Sequence, residues 1–269
     1  MQRIHALPDT TREYIIKIIR FRFVIWVFAR KDLKLKYNQM FLGLGWLIGQ
    51  PLISLVIYSV FFGFLLDIND FDYPYYLYVF SGLICWNVFS QVFANVSQSM
   101  LSNKDLLAKV SYPKIIFALS KMLFVLIENS VLFVLFSIVL LIVHPQSYQG
   151  WIISVLILLL AAISSFSIGL IVAAMSVKKR DFAFISPHLL SFMIWVTPVF
   201  YPISIIPQKF QSFLYINPIA AILDLFRWSL GLIPDINHFS IFGLLLTFAL
   251  LIMSFFVFKK VEFDIAEKI

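Results

Sequence analysis

The chain has 269 residues, of which 61% are hydrophobic, 17% aromatic and only 13% charged, and its formal net charge is +7. Soluble domains carry about 25% charged residues, and a water-soluble fold of this length cannot bury so much apolar surface. The composition therefore excludes a soluble enzyme, a disordered chain and a secreted disulfide scaffold, and it predicts a polytopic membrane protein.

Residues 1–40 are predicted to form a cytoplasmic amphipathic interface segment. Glu13, Lys17 and Arg20 recur at helical spacing on one face, and isoleucines occupy the opposite face. The following apolar stretch, 21–29, is too short to span a bilayer and is interrupted by Arg22. An amphipathic helix lying in the membrane interface, with a packing role as well, fits this pattern; a plain juxtamembrane segment is the alternative.

Residues 41–269 are predicted to form a transmembrane domain of all-α class. A spanning helix needs about 20 largely apolar residues, and continuous apolar runs in lipid must be helical because their backbone groups have to be satisfied internally. Six runs meet this description, at 44–66, 76–100, 115–143, 151–177, 188–201 and 239–258. The fifth run is short and carries Pro198 near its end.

The distribution of positive charge predicts the orientation of these spans. Of the 21 Lys and Arg residues, only Lys209 and Arg227 fall in connections on one side, and the rest lie on the other. By the positive-inside rule both termini are cytoplasmic. The net charge is thus explained by topology, and no nucleic-acid partner is expected.

The region between spans five and six, 203–238, is apolar but is cut into short pieces by prolines. Asn217 followed by Pro218 predicts a helix start, and the helix is expected to run to about Gly231. Asp224 and Arg227 are spaced so that they can pair on it. Two short re-entrant helices fit best; an amphipathic hairpin lying flat on the membrane is the alternative.

Motifs for catalysis are missing from the sequence. None of the nine glycines belongs to a phosphate-binding G-x-x-x-x-G-K-[ST] loop, and neither H-E-x-x-H nor a Cys/His metal spacing occurs. The single cysteine, Cys85, lies in an apolar run and cannot form an internal disulfide. The sequence therefore predicts no catalytic residue, no metal site and no bound cofactor, and any ATP hydrolysis has to come from another chain.

Glu128 stands near the middle of the third span, beside Asn129 and Ser130. A carboxylate inside the membrane is a candidate functional residue. It can serve as a proton site in a secondary transporter, or it can pack against polar partners within the bundle. No second acidic residue lies well inside a span, which favours packing.

Aromatic residues are abundant, with 30 Phe, 11 Tyr and 6 Trp. Some cluster in the outer halves of spans one and five, where flat rings with polar tips suit sliding contact with sugars. The candidates for a channel lining are Tyr58, Phe62, Trp195, Phe200 and Tyr201, with Trp46 nearer the cytoplasmic side. Belt positions and core packing are the alternative explanation for each ring.

Several short motifs, taken in order, resemble one family. The chain is similar to permease subunits of ABC-2-type exporters in their polysaccharide branch, the Wzm-type O-antigen permeases with capsule and teichoic acid relatives. The matching segments are RKDLKLKY at 30–37, LGLGW at 42–46, QPL at 50–52, SGL at 81–83, NKDLLAKV at 103–110, RDF at 180–182, TPVFYP at 197–202 and NPI at 217–219.

The resemblance implies a homodimer of permeases that carries two copies of a separate nucleotide-binding ATPase, with ATP and Mg²⁺ on that partner. It implies export of a polysaccharide linked to polyprenyl pyrophosphate through a path lined by spans one and five. It also implies a cytoplasmic segment that couples the permease to the ATPase, with the candidate contacts Lys104, Asp105, Leu106, Leu107 and Lys109.

Three other functions remain open from the sequence. An ABC-2 exporter of another cargo (teichoic acid, capsule, a lipid or a drug) shares the same motifs. A proton-coupled secondary transporter depends on Glu128 alone. A membrane enzyme of lipid-sugar metabolism lacks an inward acidic pair or histidine cluster for acid–base chemistry.

Overall fold

The computed structural model describes residues 10–38, 45–66, 73–107, 112–145 and 150–268, and every regular element within these ranges is a helix. Four of the helices are long and apolar enough to cross a membrane: α4 (Tyr75–Ser97), α7 (Ile115–Val143), α8 (Trp151–Lys178) and α12 (Ser240–Lys268). Two further helices, α3 (Gly45–Leu66) and α9 (Asp181–Val196), are also apolar. This architecture is that of a polytopic membrane protein.

The N-terminal segment forms two helices rather than one, α1 (Thr11–Arg20) and α2 (Arg22–Tyr37). Thr10 starts α1 with a capping box, in which its hydroxyl accepts from the Glu13 N–H at 3.3 Å and the Glu13 carboxylate accepts from the Thr10 N–H at 2.9 Å. Helix α1 is strongly amphipathic, and its buried Tyr14 donates to Glu262 of α12. The segment is therefore packed on the bundle through Tyr14, whereas Ile15, Ile16 and Ile19 of its apolar face are exposed.

Helix α4 is the centre of the core, with most of its side chains buried between α7, α8 and α11 (Pro218–Ser229). Helix α8 approaches it closely because small residues face the contact, including Ala162, Ser165 and Gly169. The Ser165 hydroxyl donates to the carbonyl of Phe89 across this contact. Small residues let helices approach closely where lipid provides no hydrophobic drive, and this pair shows such an approach.

The predicted fifth span, 188–201, is wrong at both ends. Helix α9 begins at Asp181 and ends at Val196, and Thr197 has extended backbone angles of −84° and 135°. A residue that precedes proline is pushed out of the helical region, and here Pro198 follows Thr197. Residues 197–202 therefore form an irregular loop instead of the last turn of a span.

The region before α12 contains a 3₁₀ turn at Ile203–Ile205 and the short helices α10 (Gln208–Leu214) and α11. The Asn217 side chain caps α11 by accepting from the Ile219 N–H at 3.3 Å, and Pro218 occupies its first turn. Gly231 ends it with a φ of 69°, a conformation that favours glycine. Two short helices thus lie in the region where the sequence predicts them, and α11 is buried against α4, α8 and α12.

Two short helices, α5 (Ser99–Ser102) and α6 (Lys104–Leu107), connect α4 to α7. Leu106 is half-buried against the core, whereas Lys104 is exposed. Tyr112, which follows this connection, contacts the rings of Phe21 and Phe117. On the two sides of the undescribed residues 108–111, Leu106 therefore packs on the core and Tyr112 on the N-terminal helices, whereas Lys104 is exposed.

Candidate functional site

The first buried charge of interest is Arg227 on α11, which has no exposed surface. Its guanidinium donates to the carbonyls of Pro198 (2.8 Å), Val199 (2.6 Å) and Tyr78 (3.3 Å), to the Tyr78 hydroxyl (2.8 Å) and to Ser81 Oγ (3.4 Å). The guanidinium carbon also lies 3.5 Å from the centroid of the Tyr78 ring. We call this arrangement the Arg227 node; it fastens α11 and the loop after α9 to α4.

Gly82 is required at this node because α4 and the loop approach each other there. A Cβ atom added to Gly82 would lie 2.4 Å from the Val199 carbonyl oxygen and 2.7 Å from Arg227 Nη2. Tyr75 of α4 donates to the carbonyl of Phe200, and Asn217 donates to Thr197 Oγ1 at 2.9 Å. The loop is therefore fixed from both sides by side chains that bond to its backbone.

The predicted ion pair between Asp224 and Arg227 is not the arrangement that the structure shows. The Asp224 carboxylate accepts from the Tyr215 hydroxyl at 2.5 Å, and Arg227 donates to the acceptors of the node instead. Both residues are buried. The helical spacing allows a pair, but the loop carbonyls give the planar guanidinium a better set of acceptors.

An aromatic cluster joins α3 to the loop after α9. Tyr58 stacks on Phe200 with 4.0 Å between ring centroids, and Trp195 meets Tyr58 edge-on at 6.5 Å and Phe200 at 6.0 Å. The Tyr201 hydroxyl donates to the carbonyl oxygens of Trp195 (3.0 Å) and Val196 (3.1 Å). The structure thus brings together four of the six aromatic residues predicted to line a path.

The members of this cluster differ in exposure. Trp195 is 53% exposed and Phe200 is fully buried. Phe200 is therefore a packing residue in this conformation, a correction to its predicted contact with cargo. Trp46, at the other end of α3, is 45% exposed, and the side chain of Phe62 lies outside the described residues.

The second buried charge is Glu128 on α7, which is 6% exposed. Its Oε1 accepts from Lys36 Nζ at 2.5 Å and from the Tyr37 hydroxyl at 2.6 Å, so both partners lie at the end of α2. Burial, with the hydrogen bond to Glu128 and its charge, raises the pKa of Tyr37 well above its ordinary value. The hydroxyl therefore keeps its proton and donates.

Glu128 faces a cavity of about 360 Å³ between α2, α3, α4 and α7. Besides Glu128 and its partners Lys36 and Tyr37, the polar lining includes Gln50, Ser54, Asn87, Gln91 and Asn129. Among the described residues no hydrogen-bond partner reaches Glu128 Oε2 or Asn129 Oδ1, although both atoms are buried. We call this arrangement the Glu128 cavity.

A second ion pair holds α2 on α7. Lys121 Nζ lies 2.9 Å from Asp32 Oδ2, with both side chains largely shielded from solvent. The Phe28 and Phe117 rings are in contact nearby, at 5.2 Å between centroids. The N-terminal helix therefore lies along α7 and closes one side of the Glu128 cavity.

The predicted coupling residues are only partly described. Lys104 and Leu106 lie on α6, the side chains of Asp105 and Leu107 are outside the described residues, and so is Lys109. Lys104 and Leu106 remain expectations for contact with another chain.

Sequence reasoning missed the partners of both buried charges. The sequence pattern assigns Lys36 and Tyr37 to an interface segment, yet their side chains reach Glu128 of α7. A search for any cation able to neutralise an intramembrane carboxylate would have pointed to the last turn before α3. The acceptors of Arg227 are mostly backbone carbonyls, which leave no signal in a sequence.

The region that matches known proteins includes both the Arg227 node and the Glu128 cavity. The sequence profile of the ABC-2 type transporter family matches residues 24–231, which include Lys36, Glu128 and Arg227. An O-antigen export system permease protein RfbA of Myxococcus xanthus is 26% identical over 218 residues, covering 78% of this chain and 81% of the relative.

Two other relatives match at similar identity. An O-antigen export system permease protein RfbA of Klebsiella pneumoniae is 25% identical over 244 residues, which cover 90% of this chain and 93% of the relative. The inner membrane transport permease YadH of Escherichia coli strain K12 is 25% identical over 215 residues, which cover 74% of this chain and 80% of the relative.

Proposed function

Because the chain belongs to the ABC-2 type transporter family, we propose that it is the permease subunit of an ATP-driven exporter. Its cargo is a lipid-linked polysaccharide similar to O-antigen, which it moves from the cytoplasm to the outer face of the bacterial inner membrane. The observation that carries this proposal is the similarity to the O-antigen permease of Klebsiella pneumoniae over 90% of this chain.

The proposed assembly is a homodimer of this chain with two copies of a nucleotide-binding ATPase. The sequence contains no phosphate-binding glycine loop, so ATP and Mg²⁺ belong to the partner. Helices α3, α4, α7, α8, α9 and α12 form six spans, α10 and α11 are re-entrant, and both termini are cytoplasmic. Helix α6, with exposed Lys104, then contacts the ATPase.

The proposed path runs where α3 and α9 face the second copy. Both helices present exposed apolar side chains, among them Val56 and Val60 on α3 and Phe192 on α9. Trp195 lies at the same end as Tyr58 and Tyr201. Aromatic rings in this position give sugar faces a contact area without fixed hydrogen-bond geometry.

A second candidate is export of another cargo by the same mechanism. The similarity to the Escherichia coli permease YadH supports it, because that name states transport without a cargo. The geometry of the chain is the same under both proposals, so only the cargo differs between them.

Deletion of the gene in its own bacterium tests the proposal. We expect polymer to disappear from the cell surface and lipid-linked polymer to accumulate inside, with both effects reversed by the wild-type gene. Unchanged surface polymer would refute the polysaccharide cargo and leave the other-cargo proposal standing.

A paired set of variants then tests the path. The Tyr58→Ala, Trp195→Ala double variant should cut export by about tenfold, the effect of losing about 1.4 kcal/mol of contact in the rate-limiting step. The matched control is Phe210→Ala with Phe213→Ala, since these α10 residues are 51% and 67% exposed but lie outside the aromatic cluster. Equal losses in the two double variants would show that the aromatic cluster has no special part in transport.

A further inference from the structure

The Glu128 cavity is a polar space within an otherwise apolar protein. Its volume of about 360 Å³ lies within the range of small-molecule sites, which starts near 300 Å³. Four amide side chains contribute to its lining, from Gln50, Asn87, Gln91 and Asn129, together with the Ser54 hydroxyl and the Glu128 carboxylate. Polar and ionisable side chains are costly between membrane helices, and those that occur there commonly belong to functional sites.

Two acceptor atoms in this lining are unused. Asn129 is 3% exposed, and its Nδ2 donates to the Val125 carbonyl at 3.0 Å and to Gln91 Oε1 at 3.3 Å, but its Oδ1 has no partner among the described residues. The same holds for Glu128 Oε2. A buried acceptor left without a donor costs about 1–3 kcal/mol, so a small shift of the lining that brings both atoms into contact with the hydroxyls of a ligand would recover that energy.

The charges around the cavity select against an ionic ligand. Lys36 already neutralises Glu128 across 2.5 Å, and the Tyr37 hydroxyl donates to the same oxygen. A cation would add an uncompensated positive charge beside Lys36, and an anion would be repelled by Glu128. A neutral ligand that carries several hydroxyl donors is therefore the best match.

Trp46 gives the cavity a flat apolar wall. Trp46 is 45% exposed, and the rest of the apolar lining comes from Leu47, Pro51, Leu83 and Leu132. An indole face offers a large contact area to the C–H surface of a sugar ring. Hydroxyl donors on the edge of a ring and C–H groups on its face are the two features of a neutral hexose unit.

We propose that the Glu128 cavity binds one neutral sugar unit of the lipid-linked cargo, with hydroxyls that donate to Glu128 Oε2 and Asn129 Oδ1 and a ring face against Trp46. This inference rests on the proposed function and adds a specific sugar site to it. The lipid and its pyrophosphate stay outside the cavity, because its charges are already paired.

Binding to the purified chain in lipid nanodiscs tests the site. The probe is polyprenyl pyrophosphate that carries one radiolabelled hexose, and the reference ligand is radiolabelled polyprenyl pyrophosphate without sugar. Asn129→Leu removes the unused acceptor and places an apolar side chain in an apolar span. We expect it to weaken binding of the glycosylated probe by about fivefold, the effect of one lost hydrogen bond, and to leave binding of the bare lipid unchanged.

The matched control is Asn95→Leu. Asn95 donates to the Gln91 carbonyl one turn earlier at 2.8 Å, as Asn129 does to Val125, but it does not line the cavity. It should bind both lipids as the wild type does. Gln50→Leu, at an exposed cavity position, provides a second variant that does not depend on core packing, and it should also weaken only the glycosylated probe.

Three outcomes overturn the sugar site: equal affinity of the wild type for the two lipids, equal loss in Asn129→Leu and Asn95→Leu, or unchanged binding in both cavity variants. If one of these outcomes occurs and gene deletion still removes the surface polymer, the proposed function stands and only the sugar site is refuted. If gene deletion leaves the surface polymer unchanged, the proposed function itself is refuted.

Discussion

The Arg227 node and the Glu128 cavity each bury one charge, yet they satisfy it in opposite ways. Arg227 donates from all three of its nitrogens, and three of its five bonds go to backbone carbonyls of α4 and of the loop after α9. Within the part of the chain that the structure describes, Glu128 uses one of its two oxygens, and both of its donors are side chains of α2.

The contacts of Arg227 are therefore fixed, whereas the contact between Lys36 and Glu128 can change. Backbone carbonyls move only when their segment moves, so the Arg227 node holds α4, α11 and the loop as one body. Lys36 is a flexible side chain, 39% exposed, on a helix that is continuous with the N-terminal segment. A shift of α2 would therefore change the charge balance of the Glu128 cavity without breaking the core.

The largest effect is expected from Arg227→Lys. A lysine keeps the charge but cannot serve acceptors on two elements with a planar fork, so several carbonyls lose their donor. We expect a loss of at least about 3 kcal/mol in the free energy of unfolding and a strong fall in abundance in the membrane. Arg180→Lys, at an exposed position, is the control. Equal stability of the two variants would refute the node as a structural joint.

Gly82→Ala should have the next largest effect. The new Cβ would meet the backbone oxygen of Val199 at 2.4 Å, which cannot move without the loop, so we expect a loss of about 1–3 kcal/mol. Gly49→Ala is the matched control in α3, where the nearest atom is a Trp46 ring carbon at 3.8 Å. Thermal unfolding of both proteins in nanodiscs measures the difference, and a destabilised Gly49→Ala with an intact Gly82→Ala would contradict it.

At the Glu128 cavity, we compare the loss of stability on removing Lys36 with the loss on neutralising Glu128. Lys36→Met leaves a buried carboxylate with only Tyr37 as donor, whereas Glu128→Gln leaves Lys36 free to turn toward water. We expect losses of about 1–2 kcal/mol for the first variant and less than about 1 kcal/mol for the second. Lys34→Met is the exposed control. A greater loss from Glu128→Gln would mean that Glu128 is as fixed as Arg227.

The smallest effect is expected from Asp224→Asn. The amide oxygen can still accept from Tyr215, so the loss should be about 1 kcal/mol or less. Asp235→Asn, which is exposed, gives the baseline. A loss as large as that of Arg227→Lys would show that Asp224 is the counter-charge of Arg227 after all.

Much of the fold follows from local rules in the sequence. The apolar runs locate α3, α4, α7, α8 and α12 to within a few residues, except that α12 continues ten residues past the predicted end at 258, to Lys268. Asn217 and Pro218 fix the start of α11 because capping is a local interaction. The end of α9 was misplaced because the apolar run continues through Pro198, while the backbone leaves the helix before it.

The sites follow from the sequence less well because their partners are distant in the chain. Glu128 is recognisable as an unusual residue, but Lys36 lies 92 positions away and belongs to a segment with several other cations. The aromatic cluster is partly predictable, since the sequence pattern places Tyr58 and Trp195 at the same end of two predicted spans. The burial of Phe200 depends on how the loop folds back, and composition does not report that.

Thiol accessibility tests the contrast between the two regions most directly. In a Cys85→Ala background, which removes the single native cysteine, Ser54→Cys places a thiol in the Glu128 cavity and Ser81→Cys places one in the Arg227 node. We expect Ser54→Cys to react at least about tenfold faster with a small methanethiosulfonate, and export to stop on modification. Equal reaction rates, or full export by the modified Ser54→Cys protein, would contradict an open, functional cavity beside a closed structural joint.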